Sequence, residues 1–169
     1  MLLFTYKSMP KISLRKLKTS DEKYFSQWWR NKELLKLTSG VFKRLSDQEV
    51  KKYFLAMLGN KNDHHFIIAL NKKMIGHISL AKRKNSWFET QIIIGEKKYW
   101  GKGYGTKAIQ SVIKKATVLG ITKIYFEVRP DNARAIRSYK KSGFKKLVIK
   151  KYPENRNLPK TLKMVLEIK

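Results

Sequence analysis

Apolar and polar residues alternate over residues 12–17, the period of a strand with one face buried. The period then lengthens. Ser20, followed by Asp21-Glu22-Lys23, reads as an N-cap, and the helix it opens is expected to run to about Trp29. Ser46-Asp47-Gln48-Glu49 is a capping box with its acid three residues after the cap, and Val50, Tyr53, Phe54, Met57 and Leu58 follow at helical spacing. Between these two helices, residues 31–44 fit neither period and are expected to border a pocket.

Extended patterns follow. Residues 65–70 and 73–81 flank Asn71-Lys72, a hairpin turn that lacks the favoured glycine, and residues 87–94 supply a further strand. Between 103 and 119 the spacing turns helical again, with Ala108, Ile109, Val112, Ile113 and Ala116 on one face and Gly120 as the stop. Residues 121–129 read as a strand, and Asn132 caps a short helix that ends at Gly143. The last strands are 144–150 and 162–168, separated by a polar turn region with Pro153 and Pro159. The predicted order, β–α–α–β–β–β–α–β–α–β–β, is a mixed sheet with helices packed on it, without internal repeats.

With 169 residues, 42% of them apolar, the chain can bury one substantial core, so a single domain over 1–169 is expected. It has no cysteine, which excludes disulfides, thiol nucleophiles and cysteine-based metal sites. Met1-Leu2-Leu3-Phe4-Thr5 is too short for a signal-peptide core, and no run reaches transmembrane length, so a cytoplasmic enzyme without a membrane partner is expected. The balance of 39 Lys+Arg against 12 Asp+Glu gives a net charge of +27. That charge either draws the chain to RNA, ribosomes or acidic partners, or reflects lysines dispersed over every element. It favours an anionic cofactor and opposes a polycationic substrate unless acids line the pocket.

Two clusters carry chemistry. Tyr99-Trp100-Gly101-Lys102-Gly103-Tyr104-Gly105-Thr106 lies between a strand and a helix, where glycines leave backbone N–H groups bare at the positive end of the helix, a setting for phosphate. The second runs from Pro130-Asp131-Asn132 through Tyr139 to Gly143-Phe144. With Ile12-Ser13-Leu14-Arg15 and the Trp28-Trp29 region, they make the whole chain resemble a GCN5-related N-acetyltransferase (GNAT), in particular the branch of ribosomal-protein N-terminal acetyltransferases. The resemblance implies an α/β (α+β mixed) GNAT fold: a twisted mixed sheet of about seven strands, splayed between its two central parallel strands, with four main helices. It places those strands at 89–94 and 123–129, with acetyl-CoA in the opening between them and no metal. Pantetheine would pair with backbone near Ile92, Ile93 and Ile94, and the pyrophosphate would rest on amides of Lys102, Gly103, Tyr104, Gly105 and Thr106. Family members often carry Arg or Gln where this chain has Trp100, which either covers the cofactor or packs at the sheet edge. Asn132 either caps its helix or also binds pantetheine. Arg134 and Arg137 either neutralise cofactor phosphates or face solvent.

Carried over in the same way, Tyr139 would protonate the departing sulfur, although its place on the helix also fits plain packing, and Glu89 would deprotonate the acceptor amine directly or through water. Glu33, in the substrate-side loop, is the next choice, and Glu127, on the second central strand, is either another candidate or a salt-bridge or framework residue. His64, His65 and His77 lack the spacing of a metal site and are expected on the surface or in packing. The expected activity is acetyl transfer to a primary amine, first a protein N-terminus as on a ribosomal protein. The alternatives are a small amine of the aminoglycoside or polyamine type, or a non-enzymatic RNA- or ribosome-binding module. Either a monomer or a homodimer fits the last strands.

Overall fold

In the computed structural model the described residues run from 10 to 169, so the reading of Met1–Thr5 lies outside them. Seven strands are present: β1 (Ile12–Lys16), β2 (His64–Leu70), β3 (Lys73–Lys82), β4 (Trp87–Ile94), β5 (Lys123–Val128), β6 (Lys145–Lys151) and β7 (Lys160–Glu167). The α-helices are α1 (Glu22–Trp28), α2 (Lys32–Leu37), α3 (Asp47–Gly59), α4 (Tyr104–Val118) and α5 (Ala133–Lys141). The strands form one sheet in the order β1-β2-β3-β4-β5-β7-β6. Among the described residues no helix is long and apolar enough to cross a membrane.

Strand β2 explains the layering. Its neighbours Ile67 and Ile68 are both fully buried, and strand geometry sends them to opposite faces. Ile68 joins Ile78, Leu80, Ile109, Val112, Ile124 and Phe126 beneath α4 and α5. Ile67 joins Phe25, Trp28, Leu34 and Phe54 beneath α1, α2 and α3. A sheet covered on both faces needs near-continuous apolar strands in its centre, as β2 supplies.

Several local expectations hold. Ser46 caps α3, its hydroxyl accepting from the Glu49 N–H while the Glu49 carboxylate accepts from the Ser46 N–H. Gly120, at φ 71°, ends α4. Asn71 takes the hairpin turn without glycine at φ 55° and exchanges two hydrogen bonds with the Lys11 backbone.

Others are corrected. Ser20 caps nothing. A 3-10 turn (Thr19–Asp21) precedes α1, and it is the buried Asp21 carboxylate that accepts from the Lys18 N–H and from Arg15 at 2.6 and 2.8 Å. Tyr53 lies on the solvent side of α3, whose buried residues are Val50 and Phe54. The four expected helices become five, because residues 31–44 contain α2. Asn31 caps it, accepting from the N–H groups of Glu33 and Leu34.

Only three register pairs join the parallel strands β4 and β5: Trp87 with Lys123, Phe88 with Ile124, and Glu89 with Tyr125. Beyond them the strands part, although β4 stays paired with β3 to Ile94 and β5 with β7 to Val128. The sheet is therefore forked at its centre.

Candidate active site

Hydrogen-bond direction alternates along a strand. The Gly95 N–H donates to the Ile75 carbonyl on β3, so Gly95 and, two residues earlier, Ile93 aim their backbone groups at β3. The backbone groups of Ile92 and Ile94 then point into the fork, where β5 has moved away. Ile92 and Ile94 thus lie on the edge of β4 that faces the fork, the edge expected to pair with pantetheine. Ile93 does not: it contributes its side chain, on the α1–α3 face, and its amide is turned away from the opening.

The fork opens a cavity of about 750 Å³. Gly103, Tyr104, Gly105 and Thr106 line it at the start of α4, with Gly101 and Gly103 at φ 71° and 79°. Those torsions strain any residue with a Cβ, and they turn the chain so that the first N–H groups of α4 face the cavity at the positive end of its dipole. Lys102 is exposed and is not part of the lining.

Trp100 does more than either sequence alternative. Its indole N–H donates to the Ile94 carbonyl at 2.7 Å, its ring packs with the cluster of Phe25, Trp28 and Leu34, and it lines the cavity. The Arg134 guanidinium lies over that ring, 4.3 Å from its centroid. Burial pushes the Arg134 pKa down. Arg137 lines the cavity too, from the exposed side of α5.

Asn132 caps α5 by accepting from the Ala135 N–H at 3.2 Å and donates to the Leu37 carbonyl at 3.3 Å. At the other end of α2, Asn31 donates to the Gly95 carbonyl at 3.3 Å. One short helix is thereby tied to both arms of the fork. Tyr139 lines the cavity from α5, its ring stacked on Phe126 at 3.9 Å and 6°. Burial pushes its hydroxyl well above the ordinary tyrosine range, so the phenol stays protonated at neutral pH.

On the α1–α3 face the lining includes Trp29, Leu34, Leu37, Thr38, Glu89 and Glu127. Glu89, in the last β4–β5 pair before the split, is ion-paired with Arg83 at 2.7 Å. Glu127 accepts from Tyr152 at 2.6 Å and Thr161 at 2.8 Å and pairs with Lys150 at 3.2 Å. Burial opposes its charge, but these partners outweigh burial and hold the carboxyl below its usual range. Glu33 lies outside the cavity lining and pairs with Lys97 on the surface.

Sequence reasoning missed the residues that the β6–β7 loop adds to the lining: Tyr152, Asn155 and Leu158. It also missed the meeting of two histidines. His65 and His77 sit on neighbouring strands with ring nitrogens 3.1 Å apart, and burial lowers the pKa of His77 to about 3. Among the described residues, no group of three or more His, Asp or Glu side chains could hold a metal ion.

Comparison with known proteins agrees with this geometry. Residues 11–145 match the sequence profile described as "Acetyltransferase (GNAT) domain". An uncharacterised protein of Methanocaldococcus jannaschii is 25% identical over 140 residues, which cover 80% of this chain but only 28% of that protein, so the chain corresponds to a fraction of that relative's length. The aminoglycoside N(6')-acetyltransferase type 1 of Klebsiella pneumoniae is 24% identical over 149 residues, covering 80% of this chain and 74% of the relative. Among solved structures, spermidine N-acetyltransferase from Vibrio cholerae in complex with CoA and spermine superposes with a TM-score of 0.79 at 21% identity, covering 92% and 95% of the two chains. Forked sheet, glycine loop and matched profile agree: the chain belongs to the GNAT acetyltransferase domain family.

Proposed function

We propose that this chain transfers an acetyl group from acetyl-CoA to a primary amine of a small polycation of the aminoglycoside or polyamine type. The observation that carries the donor half is the fork itself. Its β4 edge offers the backbone of Ile92 and the N–H of Ile94, whose carbonyl is held by Trp100, and the N-terminus of α4 stands at one end with glycines beside it. These groups fit a ligand with amides along one arm and phosphates at its end. Bound acetyl-CoA would supply an acetyl group activated as a thioester.

The residues then divide the work. Ile92 and Ile94 hold the amide-bearing arm, residues 103–106 hold the pyrophosphate, and Arg134 and Arg137 offset its charge. Asn132 has an amide hydrogen left over for the cofactor after its bond to Leu37. Glu89 takes the proton of the acceptor amine, with Arg83 fixing its carboxylate. Tyr139, neutral at working pH, donates its phenolic hydrogen to the departing sulfur.

The acceptor half rests on the two carboxylates in the lining. Glu89 pairs in register with Tyr125, and Glu127 lies two residues further along β5, so both acids share the α1–α3 face of the sheet. Each acid already has a cation beside it, Arg83 at Glu89 and Lys150 at Glu127, so an ammonium group of the acceptor would share or displace those partners. The relatives named for their substrates act on aminoglycosides and spermidine, and none of those described is named for a protein N-terminus. These relatives support the small-amine alternative ahead of the ribosomal-protein reading. A mass-spectrometric assay with acetyl-CoA and a panel of spermidine, kanamycin and a peptide with a free N-terminus tests the choice. Acetylation of spermidine or kanamycin with the peptide untouched is expected, and acetylation of the peptide alone would overturn the assignment.

A further inference from the structure

The two arms of the fork share no strand hydrogen bonds past Glu89, yet one side chain joins them. Trp100 reaches the β4 arm through its N–H to the Ile94 carbonyl, and the α5 arm through the Arg134 guanidinium on its ring. The ring is fixed from behind by the cluster that includes Trp28 and Leu34. Arg134 has no carboxylate partner among the described residues, as Arg44, Arg137 and Arg156 have none, but of these four it is the one that lies on an aromatic face. An arginine kept from acids, partly desolvated and held flat against an aromatic face at the wall of an anion-binding cavity is ready for a phosphate.

We propose that Trp100 is a positioning residue for the phosphate end of the cofactor. Its indole forms a crossbrace between the arms and a platform that aims the Arg134 guanidinium at the anion received by the α4 N-terminus. This rests on the acetyl-CoA reading above. Where the family often carries Arg or Gln, this chain has Trp100, which brings in the guanidinium of Arg134 from α5. The stacked face is the working part and the N–H the anchor, so phenylalanine retains much of the effect and leucine does not.

Calorimetric titration of acetyl-CoA into the wild type, W100F, W100L, R134Q and the W100L/R134Q double variant tests this, with melting curves recorded for each. A desolvated cation–π contact sets the expected scale: W100L and R134Q each weaken binding about tenfold, and W100F by no more than about threefold. The double variant should bind no worse than the weaker single, because the two side chains act as one unit. A double variant showing the product of the two single losses would mean that Trp100 acts only through packing, and would overturn the proposal. Should W100L not fold, R134Q decides, since it leaves the core intact: full acetyl-CoA affinity in R134Q overturns the platform role. Wild-type binding with W100L and R134Q unchanged sinks the positioning role alone, whereas a folded wild type without affinity sinks the acetyl-CoA reading beneath it.

Discussion

At Tyr139, packing and the proposed acid role fall on one residue. Its ring is spent on Phe126 and Phe144, which fixes where the hydroxyl points, and its burial keeps the phenol protonated. A group that stays neutral through the working range can donate to a leaving thiolate without first needing acid. Tyr139→Phe keeps the stacking and removes only the oxygen. Turnover should fall by about 100-fold or more, the range for loss of a general acid, while the acetyl-CoA dissociation constant measured by calorimetry stays within about threefold. Unchanged turnover in that variant would remove Tyr139 from the chemistry and leave it as a core aromatic.

At the scale of elements, the fork needs α1 seated against the end of β4, and Gly95 is the seat. A Cβ placed there would lie 1.8 Å from Trp28 Nε1, inside the indole that anchors the α1 face. Gly95→Ala must displace Trp28 or the strand end, an overpacking cost of about 2 kcal/mol or more that denaturant unfolding would register as a lower midpoint. An unshifted midpoint would mean that Trp28 can swing away freely. Elements whose signals lie within one turn of chain were legible in the sequence: the Ser46–Glu49 box, the amphipathic face of α4, the Asn132 cap and the glycine loop. Signals that exist only after distant segments meet were not. Helix α2 is six residues long and depends on Gly95 and Asn132 at its two ends. The lining residues Tyr152, Asn155 and Leu158 sit in a loop whose prolines announced a turn without saying what it would cover. Ser20 has the residue type of a cap, but a 3-10 turn precedes α1 and the acid beside it, Asp21, is drawn inward to Arg15 and the Lys18 N–H. Whether the Ile93 amide faces the fork depends on which neighbouring strand each peptide of β4 bonds to, and one sequence leaves that open.

The whole molecule carries +27, and of its 12 Asp and Glu residues two, Glu89 and Glu127, line the cavity. The opposite kind of group sets its acid stability. His77 is fully buried beside His65 and the Phe25 ring, and burial holds its pKa near 3, far below the unfolded value. A depressed histidine pKa means that the unfolded chain takes up the proton first, so stability is full above about pH 6.5 and declines as pH falls toward 3. By pH 4 the loss from this one residue is roughly 3 kcal/mol, at about 1.4 kcal/mol per unit. Thermal melting between pH 7 and pH 4 should show a falling midpoint whose slope is reduced in His77→Phe, and an identical slope in that variant would exclude the buried pair as the cause. The same measurement below pH 4 adds the Arg15–Asp21 pair, which keeps the Asp21 carboxyl below its usual range against the opposing effect of burial. Every role proposed for the cavity residues requires the fork to be a cofactor site. Calorimetric titration of acetyl-CoA into the folded wild-type protein at physiological ionic strength is its most direct test. Saturable binding at one site per chain is the predicted result, and the absence of binding in a sample that melts cooperatively would contradict it.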